Sequence, residues 1–363
     1  MVSARALACF LVADDLTGAC DAAVHFAARG QRAVVPIAPG QPLPEADVIA
    51  VSTASRDLPP AGIPRAIAAA ACLPIGTPRI LFKKIDSTLR GHPGVEIAAA
   101  LDAFSRGAAV VCPAFPGTGR LVRDGILHVE GAADFAPIDI PSYLRAQGVE
   151  CVPAAPEALR EAIGGGARVV LLDAACDADL DRIAAAGLAL DRPILWVGSA
   201  GLAAALARTL PAGPPRRAIH PRRGPVLLVI GSDHPVTLAQ QAALVARRRA
   251  LSIDAGIGAA LAGGHHVLLR IACGSSGAAQ LNALVASAPA AALVLSGGDT
   301  AALFCQAVAV CALELIAEIV PGVPWGVIRG GAFDGVPVAT KSGGFGDADA
   351  LIQVVDFFAC QNH

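Results

Sequence analysis

The chain has 363 residues, beyond the length at which one hydrophobic core usually stops growing, so two domains are expected. Its 28 Lys and Arg against 30 Asp and Glu leave a formal charge of -2, which excludes the overall basic field that nucleic acid or an anionic membrane would require. Only 16% of residues are charged while 55% are hydrophobic, so the places where charge does cluster are informative.

The opening "MVSARALACFLVADD" puts Arg5 before a short apolar run, as a secretory signal would. Two aspartates follow at once and no A-x-A site comes after, so Leu7 to Ala13 reads as a first buried strand. In open α/β sheets ligands bind where strands end and helices begin. "VADDLTGACDAA" is such a junction, with Asp14 and Asp15 at the strand end and Thr17 and Gly18 opening a helix. One aspartate could merely cap that helix; two adjacent acids ask for more than capping.

Further strands follow in "RAVVPIA", "VIAVST", "RILFKKI", "AAVVCPA", "RVVLLDA" and "PILWVGS", with helical patterns such as "GACDAAVHFAARG", "GVEIAAALDAF" and "DADLDRIAAAG" between them. This alternation predicts an α/β protein with mainly parallel sheets flanked by helices. Ser55 and Arg56 lie just past "VIAVST". The densest charge follows "ILF": Lys83, Lys84, Asp86, Ser87, Thr88 and Arg90, leading through Gly91, Pro93 and Gly94 into a helix. The cations there can hold a carboxylate or phosphate, and Asp86 can orient a cation or accept a proton. The bland reading is a solvated loop with an Asp86–Arg90 ion pair. "CPAFPGTGRLVRDG" adds Gly117, Thr118, Gly119 and Arg120, then Arg123, Asp124 and Gly125, which read as a tight turn.

Residues 211–224, "PAGPPRRAIHPRRG", carry four prolines and four arginines and read as a linker between a first domain at 1–210 and a second at 225–363. The second unit has strands "PVLLVIG", "HHVLLRIA" and "AALVLSGG" and helices "HPVTLAQQAALVARRR" and "SSGAAQLNALVASA". Its loops are rich in glycine: Gly231 and Ser232; Ser296, Gly297, Gly298, Asp299 and Thr300; and Lys341, Ser342, Gly343 and Gly344. Backbone N–H groups at such helix starts favour phosphate. None of these loops matches the P-loop or G-x-G-x-x-G patterns, and a nucleotide-dependent oxidoreductase would need G-x-G-x-x-G after the first strand, where "ADDLTGACD" does not supply it. The apolar region Val308 to Ile328 is broken by Glu314, Glu318, Pro321 and Pro324 and is no membrane span.

Ten cysteines lie scattered without a CxxC pair, and Cys305 and Cys311 fall in an apolar helical pattern. Reduced, buried thiols in a cytoplasmic protein are expected, with no metal site indicated. His25 and His265-His266 read as structural, and one Tyr and two Trp offer no platform for stacking bases.

Taken together, "ADDLTGACDAA", Ser55-Arg56, "KKIDSTLRGHPGVEI", "CPAFPGTGRLVRDGILHVEG", "VGSAGLA", "SGGDTA" and "TKSGGFG" resemble the four-carbon acid sugar kinases, the 3-oxo-tetronate, threonate and erythronate kinases, in the family's order and over nearly the whole chain. The resemblance implies an N-terminal sugar-acid domain and a C-terminal nucleotide domain, with the active site in the cleft between them. It implies ATP and Mg²⁺ as cofactors, a small sugar acid as partner, no nucleic acid or membrane, and leaves a homodimer open. By it Asp15, Asp86 and Lys84 are the catalytic candidates. Asp14, Arg56, Lys83, Ser87, Arg90 and Arg120 would face the sugar acid, with Arg56 or Arg90 holding its carboxylate. Ser232, Gly297, Gly298, Asp299, Thr300, Gly343 and Gly344 would meet the nucleotide. The segment after Gly131 is shorter than in the family, and "GSDHPVT" has Asp233 and His234 where the family tends to have small residues. A non-catalytic sugar-acid binding protein descended from such a kinase is the alternative.

Overall fold

The computed structural model describes residues 7–37, 45–132, 134–214, 224–247, 249–271, 281 and 290–359. It divides into two compact units, Met1–Gln31 with Ala46–Gly213, and Arg32–Glu45 with Pro214–His363. Most of the linker expected at 211–224, and all but one residue of the helix expected in "SSGAAQLNALVASA", lie outside the described residues.

In the first unit β1 (Cys9–Ala13) runs into α1 (Leu16–Ala27). The next strand, β2 (Ala33–Pro36), corrects the reading of 1–210 as one domain, because it belongs to the second unit. The first unit resumes with β3 (Val48–Ser52), α2 (Ile63–Ala71), β4 (Ile80–Lys84), α3 (Pro93–Ala103) and β5 (Ala109–Cys112). A small antiparallel sheet of β6 (Arg120–Arg123), β7 (Ile126–Val129) and β8 (Ile138–Asp139) follows. The turn at Asp124 and Gly125, both with positive φ, joins β6 to β7, as a two-residue hairpin of matching twist requires. Then come α4 (Ile140–Arg145), β9 (Val152–Ala154), α5 (Leu159–Gly164), β10 (Val169–Leu172), α6 (Asp177–Leu188), β11 (Leu195–Gly198) and α7 (Ala200–Arg208).

The main sheet of this unit has the order β3-β1-β4-β11-β5-β10-β9, every pair parallel. Strands covered by helices on both faces have no polar side, which is why "CFLVA", "AVVC" and "VVLL" are apolar throughout and buried throughout. The chain passes from β1 to β3 on one flank and then to β4 on the other, so the carboxyl end of β1 lies at a topological switch point.

The second unit contains β12 (Val226–Ile230), α8 (Pro235–Ala246), β13 (Leu251–Ser252), α9 (Ile257–Ala262), β14 (Val267–Arg270), β15 (Ala292–Ser296) and α10 (Gly298–Ala307). It continues with β16 (Ala312–Val320), β17 (Val323–Arg329), β18 (Pro337–Lys341) and α11 (Ala350–Ala359). Strands β13-β14-β12-β15-β18 are parallel, and β17, β16 and β2 extend them antiparallel. Cys311 and the residues after it thus form a hairpin, where the sequence pattern pointed to a helix. The core sets Val226, Leu228, Ile230 and Leu268 against Trp325, Leu351 and Phe358. Here too the switch point falls at the first strand, β12, between β14 and β15.

Of the described cysteines, Cys9, Cys20, Cys112, Cys151 and Cys305 are buried, whereas Cys72, Cys176 and Cys311 are exposed, which corrects the expectation of uniformly buried thiols. Among the described residues no helix is long and apolar enough to cross a membrane.

Candidate active site

The switch point of the first unit collects the charge that the sequence concentrates. Asp15 is the N-cap of α1: its Oδ1 accepts from Gly18 N at 2.7 Å and its Oδ2 from Thr17 Oγ1 at 2.7 Å. Arg56, delivered by the loop after β3, grips Asp14 with two parallel bonds of 2.8 Å and donates to Asp15 at 2.7 Å. Its third carboxylate neighbour is Asp86, at 3.8 Å. Burial by itself would lower the Arg56 guanidinium, but these three carboxylates outweigh it and hold the group charged.

Asp86 itself accepts from Thr88 N at 3.0 Å and Thr88 Oγ1 at 2.5 Å, and from Arg90 through Nε at 3.0 Å and NH2 at 2.7 Å. Its burial would raise the carboxyl. The hydrogen bond from Arg90, the charges of Arg56 and Arg90 and the bond from Thr88 reverse that and hold it well below the usual carboxylate range. Five hydrogen bonds thus converge on Asp86, four on Oδ2, with Arg90 N adding a fifth at 3.3 Å, and one on Oδ1, so the carboxylate anchors the Arg90 guanidinium beside that of Arg56 and is held in its ionised, weakly basic form.

Successive residues of a strand face opposite sides of the sheet, and Lys83 and Lys84 separate accordingly. The Lys84 ammonium lies 3.8 Å from Asp21 Oδ2 on α1, and a Cβ built on Gly18 would meet both it, at 3.4 Å, and the Asp15 carboxylate. Lys83 points the other way and is completely buried against Glu96 of α3, so the structure does not bring it to the cluster. Ser87 is buried beside Asp86, while Thr88, absent from the expected contacts, makes the bonds. Arg90 has a half-exposed side chain. Arg120 donates to Thr118 O; burial lowers its guanidinium, and the charges of Asp86 and Asp21 act in the opposite sense.

In the second unit the three glycine-rich loops converge at the carboxyl ends of β12, β15 and β18. Ile230 is in register with Ser296, and Ser296 with Lys341. Gly297, with φ of +107°, turns the chain into α10, a conformation closed to other residues; Gly298 and Asp299 start that helix. The Thr300 Oγ1 lies against Gly231 and Gly297. A Cβ on Gly343 would collide with Ser232 Oγ, and one on Gly344 would come 3.2 Å from His234 Nε2. Glycine is therefore required where these loops pack against one another at two helix starts, and backbone N–H groups at such starts favour phosphate. All seven residues expected to meet the nucleotide lie on this one end of the sheet.

Sequence reasoning missed what holds the glycine-rich loops. Lys341 is fully buried, donating to Ser342 O at 2.8 Å and Gly343 O at 3.2 Å, and burial lowers it to about 8. From α8, Thr237 Oγ1 donates to Gly343 O at 2.7 Å, and Gln240 Nε2 donates to the carbonyls of Phe345, Gly346 and Asp347. The available signal was polar Thr and Gln on the inward face of an otherwise apolar helix. His234 caps α8 by accepting from Val236 N, and Asp233 pairs with Arg270 at 2.5 Å, so the unusual "GSDHPVT" loop is internally satisfied. Among the described residues no group of three or more His, Cys, Asp or Glu is placed to hold a metal ion.

One unit thus gathers cations and carboxylates at its switch point, and the other brings glycine-rich loops together at two helix starts. The comparisons agree: residues 9–206 match the family described as "Sugar-binding N-terminal domain" and residues 273–351 the one described as "Nucleotide-binding C-terminal domain". These features define a carbohydrate kinase with separate sugar and nucleotide units. Relatives include a D-threonate kinase of Bordetella bronchiseptica, 35% identical over 94% of this chain and 95% of that protein. A D-threonate kinase of Cupriavidus necator is 36% identical over the same shares, and a D-erythronate kinase of Heliobacterium modesticaldum 30% identical over 96% of each. The chain belongs to the four-carbon acid sugar kinase family. A solved Salmonella typhimurium protein shares the fold, with TM-score 0.76 at 22% identity over 96% of this chain and 98% of that one. A Bordetella bronchiseptica domain crystallised with bound citrate as a domain-swapped dimer is 34% identical over 98% of both chains, with TM-score 0.50.

Proposed function

We propose that the protein transfers the γ-phosphoryl group of ATP to the terminal hydroxyl of a four-carbon sugar acid, with D-threonate the leading candidate. The observation that carries this is the Asp14–Asp15–Arg56–Asp86–Arg90 cluster at the sheet's switch point, in a chain related over 94% of its length to D-threonate kinases. Phosphoryl transfer passes through a loose transition state, so the protein's work is positioning and charge neutralisation.

The roles follow from what each group is already bonded to. Arg56 is committed to three carboxylates, so the half-exposed Arg90, with Arg120, takes the substrate carboxylate. Asp14 accepts two bonds and Asp15 three from the residues named above, short of a carboxylate's four, and the remaining capacity suits the substrate's hydroxyls. Asp15 receives the proton of the attacking hydroxyl, and the neighbouring Lys84 ammonium offsets the negative charge of the transferred group. Ser232, Gly297, Gly298, Thr300, Gly343 and Gly344 supply the phosphate cradle. Asp299 in the first turn of α10 is the carboxylate that would hold an ATP-bound Mg²⁺, which would supply neutralisation of phosphate charge. A homodimer is proposed as the assembly, on the support of the domain-swapped Bordetella relative.

The test is an ADP-release assay with ATP and Mg²⁺ against D- and L-threonate, D- and L-erythronate and their 3-oxo forms. Turnover on D-threonate above the others is the expected result. ATP binding without turnover on any of the acids would refute the substrate assignment, and sugar-acid binding without ATP binding would favour a non-catalytic binding protein.

A further inference from the structure

Beneath the charged cluster, on the opposite face of the sheet, lies a second polar network that the reaction itself does not use. Lys83 Nζ, wholly buried, pairs with Glu96 of α3, whose own side chain is 2% exposed. The same ammonium donates to Lys84 O at 3.0 Å. Glu96 Oε1 also accepts from Ser55 Oγ, and Ser55 Oγ lies 2.6 Å from Thr53 Oγ1. Thr53 Oγ1 in turn donates to Ala13 O, the last residue of β1, at 2.9 Å. One chain of contacts therefore ties together the ends of β1, β3 and β4, which are the segments that carry Asp14 and Asp15, Arg56, and Lys84 and Asp86.

We infer that the Lys83–Glu96 pair is a positioning device for the sugar-acid site. Two charges removed from water gain little stability over a pair of well-packed apolar side chains of similar volume, so stability alone gives a charge-poor chain no reason to bury them. What an apolar pair could not do is specify where the β3 loop sits. Ser55 is held by Glu96 from one side, and the backbone N–H groups of Ser55 and Arg56 both donate to Asp14 O, at 2.9 and 3.3 Å, from the other. Ala54 between these anchors is forced to φ of +48°, an uncommon conformation for alanine that persists only when its surroundings over-determine it. The outcome is a fixed Cα for Arg56, and through Arg56 a fixed spacing of Asp14, Asp15 and Asp86. A displacement of about 1 Å in such a group costs on the order of 100-fold in rate.

The inference rests on the reading that the first unit takes the sugar acid, and the experiment separates the two. The paired substitution Lys83→Met with Glu96→Leu removes both charges and keeps the volume. Its Tm is expected to match or exceed that of the wild type. Hydrogen exchange at the Ser55 and Arg56 amides should accelerate by about tenfold or more, while the KM for the sugar acid rises about tenfold or more and that for ATP stays unchanged. Ser55→Ala, which cuts the link from Glu96 to the β3 loop and leaves the ion pair in place, carries the same readouts should the paired variant fail to fold. Wild-type protection of those two amides, or an unchanged sugar-acid KM, overturns the positioning role. Wild-type enzyme inert toward every acid overturns the substrate reading instead, and the exchange measurement still decides the inference because it needs no substrate.

Discussion

Replacing Asp86 by Asn keeps the shape of the side chain and deletes the charge that Arg56 and Arg90 share. Removing one partner of a buried ion pair costs roughly 3–5 kcal/mol, because the other is left uncompensated. Here the Arg90 side chain is 51% exposed and can turn to water, whereas Arg56 is 13% exposed and retains Asp14 and Asp15. Both facts reduce the loss, to about 2–3 kcal/mol at pH 7. For a unit of this size that lowers the unfolding transition by roughly 4–12 °C. The pH dependence has a definite sign. The folded-state pKa is depressed, so the carboxylate's contribution is complete above the unfolded value of about 3.9 and is lost as pH falls through the folded one. The gap between wild type and Asp86→Asn should therefore be widest near neutrality and shrink below about pH 4. Calorimetry and urea titrations at pH 7 and about pH 2.5, beside steady-state kinetics at pH 7, provide the assay. An anchor loses sugar-acid KM along with stability. A collapse in kcat with unchanged KM and unchanged Tm would refute the reasoning and return Asp86 to the role of base.

Asp15→Asn keeps an acceptor to cap α1 but takes a carboxylate from Arg56, so Tm should fall by no more than in Asp86→Asn while kcat falls by roughly 100-fold or more; near-normal kcat would remove Asp15 from proton transfer. Gly343→Ala puts a methyl against Ser232 Oγ, so the KM for ATP should rise at least about tenfold while that for the sugar acid holds. Burial lowers Lys341 to about 8, so the cradle should lose its fixed positive charge above that pH, and the ATP KM should climb as pH passes 8. Over the same range the unfolded chain holds the proton more tightly than the folded one, so this group makes stability rise from pH 8 toward about 10.4. Lys341→Met should abolish both trends, which nucleotide titrations and melts across pH 7 to 10 will show.

The sequence by itself determined the parallel sheets, because strands buried on both faces must be apolar along their whole length and the helices between them must carry helical spacing. It also located Asp14, Asp15, Arg56, Lys84, Asp86 and Arg90, because loops at the carboxyl ends of such strands are where a chain with so little charge keeps it. The glycine-rich loops at Gly297 and Gly343 were legible for the same reason. Only the tertiary structure decided what each group touches. Lys83 and Lys84 are neighbours in sequence, yet the pleat sends one into a buried pair with Glu96 and the other toward Asp15 and Asp21. Asp86 reads as a base in the sequence, and the five hydrogen bonds it accepts from Thr88 and Arg90 show only in the fold. The strand "AVVP" looks like part of the first unit until its partner, β16, is found in the second. Each of these turns on a contact made across the fold: local pattern fixes which face of an element is apolar, but hydrogen-bond saturation, ion pairing and strand partnership are properties of residues far apart in the chain.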